Sequence, residues 1–341
     1  MRSLRTLRLK SKLKIEKMKI SLITACYNSA ATIRTAIESV LSQKDVDVEY
    51  IVVDGGSKDG TVDIIKEFEV RSLEWRSGGV GNTFEFKWLS EKDRGMYDAI
   101  NKGIKMATGD VVGILNADDV LAEDDTLAKI AAAFEGVGVR SQGIRPSRVL
   151  ATHRDASKHP YQGIAFGDSL RSGDMSDREA ELGVRGQESG DRVECVYADI
   201  RFVKDGKSVE ELRSAKIVRY CSAARFRPWM FRFAVMVPHP SFYARRECFD
   251  RLGDYSLDYR ICADFELVLR FLGIAKLRAA YLPECVVLMR MGGASTAGWR
   301  SNVEINREDL RALRSHGIWS SLPLIYLKYL FKIWGFLFKR G

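Results

Sequence analysis

The sequence predicts an α/β fold with a mostly parallel central sheet flanked by helices and with a helical C-terminal tail. Two observations predict it. From residue 19 onward, short apolar runs alternate with segments of helical periodicity, and strands that are linked through helices form right-handed parallel units. The 341 residues, 46 % of them apolar and 29 % charged, are typical of a soluble globular protein with one large domain or two smaller ones.

Four apolar runs are predicted strands, and helical segments separate them. The strands are residues 20–26, 50–53, 86–90 and 111–115, and the helices are residues 30–42, a segment from Thr61, and residues 95–107. Ligands of such sheets bind beyond the carboxyl ends of the strands. There the sequence has TACYN, DGGS, SEKDRG and NADD, so carboxylates follow three of the four strands and predict a binding site at this edge.

Residues 136–192 break this alternation. The segment holds nine glycines and no sustained period, which is typical of a flexible insertion. It is either a disordered surface loop or a lid over an acceptor. The strand pattern resumes at residues 193–200, so the main domain is predicted to span residues 18–290 with this insertion inside it.

The net charge of +9 is concentrated at the two ends of the chain. Residues 1–17 form a basic leader without an apolar period, which is expected to be dispensable and need not be native. A nucleic-acid-binding protein would carry basic residues across its folded surface, so no nucleic acid is expected as a partner. Basic ends beside apolar residues favour an anionic membrane surface instead.

The tail, residues 291–341, contains a strongly apolar segment at residues 318–338 that Lys328 and Lys332 interrupt. Two lysines four residues apart place charge on one face of a helix. This spacing predicts a helix that lies in the membrane interface, with its lysines toward the headgroups, and does not span the bilayer. The alternative is an amphipathic helix packed on the domain itself. The six cysteines form no CxxC pair, which favours free thiols over disulfides or a zinc site.

The segment Asn116-Ala117-Asp118-Asp119 places two carboxylates at the end of an apolar strand. A divalent cation bound to a pyrophosphate needs only one or two protein carboxylates, and it neutralises the charge that develops on the leaving group. Two acids after a strand are also common in turns, so the motif alone does not decide between these roles.

Three segments carry a family resemblance: ISLITACYNSAATIRTAIESVLSQ, YIVVDGGSKDGTVDII and WLSEKDRGMYDAINKGIKMATGDVVGILNADD. In this order and spacing they resemble the inverting family 2 glycosyltransferases, closely over residues 18–135 and more loosely over residues 193–290. The resemblance implies the GT-A fold, a nucleoside-diphosphate sugar as the donor, Mn²⁺ or Mg²⁺ as the cofactor, and inversion at the transferred sugar.

The resemblance also assigns residues to a nucleotide site. Thr24, Ala25 and Tyr27 are expected to line its base-binding edge, with Tyr27 offering a ring for stacking. Asp54 is expected to accept a hydrogen bond from the nucleobase, and Gly55 stands where the family often has a second acid. The alternative for Asp54 is the role of a turn-forming acid.

On the pyrophosphate side, the resemblance places Asp93 and Arg94 near the nucleotide, with a solvated loop charge as the alternative for Arg94. Asn116 takes the first position of the family's DxD motif and Asp118 the last. Asp118 is therefore the expected metal ligand, with Asp119 beside it.

On the acceptor side, Asp264 matches the family acid that starts a helix beneath the acceptor, and it is the expected general base. A first-turn acid stabilised by the helix dipole is the alternative for it. Glu266, two residues on, is a weaker candidate. His239, flanked by two prolines, is expected near the acceptor or a phosphate, with a structural role as its alternative.

Together these expectations describe a metal-assisted single displacement on a lipid-linked or glycan acceptor. They place the enzyme peripherally at the cytoplasmic face of the inner membrane, in cell-surface polysaccharide synthesis. A Rossmann-type oxidoreductase would need G-x-G-x-x-G after the first strand, and TACYNSA contains no glycine. A catalytically inactive nucleotide-sugar-binding protein at the membrane remains as the alternative.

Overall fold

The computed structural model describes residues 17–75, 82–141, 192–291 and 298–337. Ten strands lie in these ranges and form one sheet. In chain order they are β1 Lys19–Cys26, β2 Asp47–Asp54, β3 Phe84–Ser90, β4 Val111–Ile114, β5 Val120–Leu121, β6 Arg140–Ser141, β7 Cys195–Val203, β8 Ile217–Cys221, β9 Tyr243–Arg245 and β10 Ala279–Arg290.

Nine α-helices in the same ranges connect and cover these strands. They are α1 Ile33–Leu41, α2 Thr61–Trp75, α3 Met96–Met106, α4 Thr126–Phe134, α5 Val209–Ser214, α6 Arg246–Leu252, α7 Ala263–Val268, α8 Gly298–Ser315 and α9 Leu322–Leu337. The predicted strands and helices of the N-terminal half are confirmed, with their ends shifted by a few residues.

The sheet runs in the order β3-β2-β1-β4-β9-β7-β10-β5. Its first four strands pair in parallel, as predicted. Beyond β4 the sheet is mixed, because the three-residue strand β9 lies antiparallel to both β4 and β7, while β7 and β10 pair in parallel. Antiparallel neighbours need no helical crossover, so the apolar periodicity of the N-terminal half does not extend into this region.

Gly113 of β4 allows the close approach of β9. A Cβ atom at this position would overlap the ring of Tyr243, which is fully buried and crosses the strand there. The sheet is buried on both faces between two apolar clusters, as expected for strands covered by helices.

Glu49 is a fully buried carboxylate in β2, close to the amino end of the strand. Lys87 Nζ lies 2.6 Å from one carboxylate oxygen, and the backbone N–H of Thr108 donates to the other at 2.7 Å. Burial alone would raise the pKa of Glu49, but hydrogen bonds from Lys87, Ser21 and Thr108 lower it to about 2. The charge is therefore paired, as a buried charge must be. Through these hydrogen bonds Glu49 links β1, β2 and β3 near their amino ends, at the edge of the sheet opposite the candidate site.

The insertion predicted at residues 136–192 lies mostly outside the described residues. Of its first part, β6 pairs antiparallel with β10. The leader also lies outside them, apart from Lys17. Both assignments stay predictions. All six cysteines are free, as predicted.

The tail packs on the domain through α8 and the first half of α9, where Ile325 is fully buried. Lys328 does not point outward: it is buried, and its Nζ lies 2.8 Å from Asp309 Oδ2 of α8. The expectation that Lys328 faces headgroups is therefore wrong, because a carboxylate from the preceding helix neutralises it inside the fold. In the described residues, no helix combines the length and apolar character that crossing a bilayer requires. Membrane association itself stays a prediction.

Candidate active site

Asp54 ends β2 and organises the DGGS turn. The backbone N–H groups of Gly56 and Ser57 each donate to its Oδ2 at 3.0 Å. Ser90 Oγ, at the end of β3, donates to the same oxygen at 2.7 Å, and the Ser57 hydroxyl donates to Oδ1. Burial would raise the pKa of Asp54, but these hydrogen bonds hold it below its usual value.

Because Asp54 is fully buried and its lone pairs are engaged within the turn, it does not lie open to a nucleobase. The structure therefore supports the alternative for Asp54, that of a turn-forming acid. Its effect on a bound nucleotide would be indirect, through the backbone of the turn that it holds.

Asp93 lies where a side chain at position 55 would point. A Cβ atom on Gly55 would come within 2.5 Å of Asp93 Oδ2. The other oxygen, Oδ1, accepts a hydrogen bond from the Gly95 N–H at 2.8 Å. The acid that the chain lacks at position 55 is thus replaced in space by a carboxylate from the loop between β3 and α3.

The family resemblance assigns three residues to the base-binding edge, and these residues differ in their surroundings: Thr24, Ala25 and Tyr27. Thr24 is fully buried, and its hydroxyl donates to the backbone oxygen of Leu115 at 2.8 Å. The Thr24 side chain therefore links β1 to the end of β4 and does not line an open edge. Ala25 is partly buried. The ring of Tyr27 is 61 % exposed and can stack on a base.

The two aspartates of the NADD segment face different surroundings. Asp119 is buried and accepts a hydrogen bond from Asn116 Nδ2 at 2.8 Å. Burial and the neighbouring charge of Asp118 raise the pKa of Asp119 well above its usual value. Arg290, a buried residue that the sequence analysis did not identify, donates to the backbone oxygen of Asp118 at 2.9 Å and so fixes the turn.

Asp118 fits a role as a metal ligand better than Asp119 does. It is partly buried, and its carboxylate accepts no hydrogen bond from the described residues. No group of three His, Cys, Asp or Glu side chains suited to a metal occurs in the described part of the chain. A single open carboxylate suits Mg²⁺ or Mn²⁺ that takes its other ligands from phosphate oxygens and water.

Asp264 lies in the first turn of α7 and is partly buried. Its Oδ1 accepts a hydrogen bond from the backbone N–H of Phe265 at 2.7 Å and lies 3.3 Å from the Tyr97 hydroxyl. Burial raises its pKa to about 6, although these two donors act in the opposite direction. A carboxylate with this pKa is ionised at neutral pH and is basic enough to accept a proton.

Tyr97 joins the two halves of the site and was not identified from the sequence. It is the second residue of α3, which follows the loop of Asp93 and Arg94, and its hydroxyl also donates to the backbone oxygen of Ile261. The Tyr97 ring stacks on that of Tyr255, with centroids 5.6 Å apart. The loop that holds Asp93 against the DGGS turn is therefore continuous with the helix end that contacts Asp264.

His239 lies behind this pair and does not lie open to an acceptor or a phosphate. It is buried, and its Nε2 is 2.6 Å from the Tyr255 hydroxyl. Burial lowers its pKa to about 4, so the imidazole is neutral at neutral pH. The structure therefore supports the alternative for His239, a structural role.

Two further charged residues have structural partners. Glu266 is buried and contacts Arg270 at 2.9 Å and His316 Nε2 at 2.7 Å, which links α7 to the end of α8. Arg94 is 76 % exposed in its side chain and lies 3.3 Å from Asp98, as a solvated loop charge would.

Comparisons with known proteins agree on one family for the N-terminal part of the chain. Residues 21–155 match the model "Glycosyl transferase family 2". A PGL/p-HBAD biosynthesis glycosyltransferase of Mycobacterium bovis (strain BCG / Pasteur 1173P2) is 38 % identical over 112 residues, which are 33 % of this chain and 40 % of that protein. A poly-beta-1,6-N-acetyl-D-glucosamine synthase of Staphylococcus epidermidis is 36 % identical over 106 residues, 31 % of this chain and 23 % of that protein. This chain thus spans less than half of either relative.

Among solved structures, S. aureus TarS 1-349 has a TM-score of 0.51 at 14 % identity, covering 95 % of this chain and 76 % of that chain. The same protein in complex with UDP-GlcNAc gives 0.50 at 14 % identity over 87 % of this chain and 66 % of that chain. At this identity the similarity shows the fold. Residues 21–155 are therefore similar to the Glycosyl transferase family 2 domain, the chain has the GT-A fold, and the curated relatives of this segment are named glycosyltransferases.

Proposed function

We propose that this protein transfers a sugar from a nucleoside-diphosphate sugar to an acceptor hydroxyl, with inversion at the sugar. The observation that carries this proposal is the contact between Tyr97 and Asp264. Through this contact, Asp264, a partly buried acid with a raised pKa, lies against the start of α3. The loop before α3 holds Asp93 beside the DGGS turn. A donor side and an acceptor side thus meet at one edge of the sheet, where ligands of such folds bind.

The donor side consists of Tyr27, the DGGS turn and Asp93. The exposed Tyr27 ring can stack on a nucleobase, and the Asp93 carboxylate next to Gly55 can accept hydrogen bonds from the nucleoside. The solved complex of TarS contains UDP-GlcNAc, and we propose a donor of the same class for this chain.

Asp118 would hold Mg²⁺ or Mn²⁺ together with the phosphate oxygens of the donor. When bound, such a cation neutralises the negative charge that develops on the departing nucleoside diphosphate. Asp119 supports this arrangement from the interior, since its hydrogen bond with Asn116 fixes the turn that presents Asp118.

Asp264 would take the proton of the acceptor hydroxyl as that oxygen attacks the sugar. A single attack from the face opposite the leaving group inverts the configuration. The burial that raises the pKa of Asp264 to about 6 makes it a stronger base than an ordinary aspartate, while leaving it ionised at neutral pH.

We further propose a lipid-linked or glycan acceptor and a peripheral position at the cytoplasmic face of the inner membrane. The names of the relatives support this: one acts in PGL/p-HBAD biosynthesis, and the other is a poly-beta-1,6-N-acetyl-D-glucosamine synthase. The basic ends of the chain would add attraction to an anionic surface.

The test separates the two acids. Asp118→Asn should weaken Mn²⁺-dependent binding of nucleoside diphosphate, measured by isothermal titration, and lower transfer with it. Asp264→Asn should bind nucleotide and metal nearly as the wild type does, yet lose roughly 10²–10⁴-fold in transfer rate. Asp63→Asn, a matched change at an exposed acid in the first turn of α2, should alter neither.

Two outcomes would contradict the proposal. Wild-type transfer rates in Asp264→Asn would remove the base assignment. A wild-type protein that binds nucleotide sugars but neither transfers nor hydrolyses any of a donor panel would support the inactive binding protein instead.

A further inference from the structure

A surface made by two segments carries exposed tryptophans, and we call it the tryptophan surface. One segment is the 3₁₀ helix Pro228–Phe233, and the other is the chain from residue 318 into the start of α9. They touch where Ser320 Oγ donates to the backbone oxygen of Arg232 at 2.7 Å. Trp229 is 60 % exposed and Trp319 is 72 % exposed. The two exposed tryptophans lie on segments that touch, and exposed apolar side chains gathered in one region are typical of interaction sites.

The two segments that carry these tryptophans have charges of one sign. The chain has 45 aspartates and glutamates, but none occurs in residues 212–246 or in residues 310–341. Arg225, Arg227 and Arg232 lie within or directly before the 3₁₀ helix, and all three are exposed. The segments of the tryptophan surface thus combine exposed tryptophans with exposed arginines and contain no aspartate or glutamate.

One aromatic contact links the segment of Trp229 to the helix of Asp264. Phe231, in the same 3₁₀ helix, is buried beneath it, and its ring centroid is 6.0 Å from that of Phe265. Phe265 follows Asp264 in the chain. The 3₁₀ helix that carries Trp229 therefore packs against α7, the helix of the proposed base.

We infer that the tryptophan surface docks on an anionic lipid bilayer. Tryptophan prefers the membrane interface, where its apolar ring and polar N–H are both accommodated, and exposed arginines bind acidic headgroups. The link to a membrane-bound acceptor rests on the proposed function, whereas the docking itself does not. The contact does not require Lys328, which is paired inside the fold.

The test measures binding of the 341-residue chain to vesicles of phosphatidylcholine, with and without phosphatidylglycerol. Changing Arg225, Arg227 and Arg232 together to Ser should lower partition into the anionic vesicles on the order of 100-fold, at about 1 kcal/mol for each charge. Trp229→Ser and Trp319→Ser should each lower it about tenfold. The matched control changes three exposed lysines elsewhere, Lys66, Lys204 and Lys207, to Ser and should leave partition nearly unchanged.

A loss of binding in the control equal to that in the arginine variant would overturn the inference, because net charge alone would then explain it. So would tryptophan variants that bind vesicles normally but change the oligomeric state in sedimentation, since the surface would then bind a second copy of the chain. Transfer to a soluble acceptor should be unchanged in the arginine and tryptophan variants. Vesicle binding without any transfer by the wild type would contradict the proposed function and leave the docking surface standing.

Discussion

Removing one hydroxyl group tests the proposed base directly. In Tyr97→Phe the ring that stacks on Tyr255 stays, and only the oxygen 3.3 Å from Asp264 Oδ1 is lost. That hydroxyl stabilises the ionised form of Asp264 and lowers its pKa. Without it, the pKa of Asp264 should rise further above its usual value.

The size of the shift follows from the geometry. A hydrogen bond to a charged group contributes about 1.5–3 kcal/mol, but this one is long and the hydroxyl is shared with the backbone oxygen of Ile261. A contribution of about 1 kcal/mol corresponds to a rise of somewhat less than one pKa unit, from about 6 toward about 7. At pH 7 the ionised fraction of Asp264 would then fall from about nine tenths to about two thirds.

The assay is the pH profile of kcat/KM for sugar transfer, whose acid limb reports the base of the free enzyme. A base works when deprotonated, so the rate should fall as the pH drops through the pKa of Asp264. This limb should move to higher pH in Tyr97→Phe. Tyr255→Phe is the matched control, because its hydroxyl contacts His239 and its loss should leave the limb in place.

An acid limb that stays fixed in Tyr97→Phe, or that moves to lower pH, would refute the reasoning. A shift of equal size in Tyr255→Phe would show that a general loosening of the aromatic pair, and not the lost hydrogen bond, is responsible.

Two further predictions concern buried contacts. Lys328→Met should lower the free energy of unfolding by about 3 kcal/mol, because it leaves Asp309 buried without its partner. The double variant with Asp309→Leu, in which both partners are apolar, should lose less than about 1 kcal/mol, and equal losses in a denaturant titration would contradict a buried pair. Gly55→Ala should weaken nucleoside-diphosphate binding about tenfold or more, at about 1.4 kcal/mol per factor of ten, because its Cβ would displace the Asp93 carboxylate. Normal nucleotide affinity in that variant, measured by isothermal titration, would remove Asp93 from the donor site.

The sequence by itself determined where the elements of the N-terminal half lie and which loops end at the site. β1, β2, β3 and β4 were predicted from short apolar runs, and their parallel pairing followed from the helices between them. The site loops could be found because they follow directly from these strands. Periodicity and turn composition are local properties of a chain, so local sequence suffices to predict them.

Only the tertiary structure decided which of the polar side chains face the site. Thr24 and Asp54 lie in site segments, yet partners from other strands engage their oxygens. Lys328 has the spacing of an interfacial residue, yet Asp309 holds it inside the fold.

Contacts between distant parts of the chain also explain why two residues were not identified from the sequence. Tyr97 contacts Asp264 across 167 positions of sequence, and Arg290 reaches Asp118 across 172. Whether a hydroxyl or a carboxylate is free for a ligand depends on which distant group satisfies it on folding. That pairing is a property of packing between elements, and no local pattern in a single sequence encodes it.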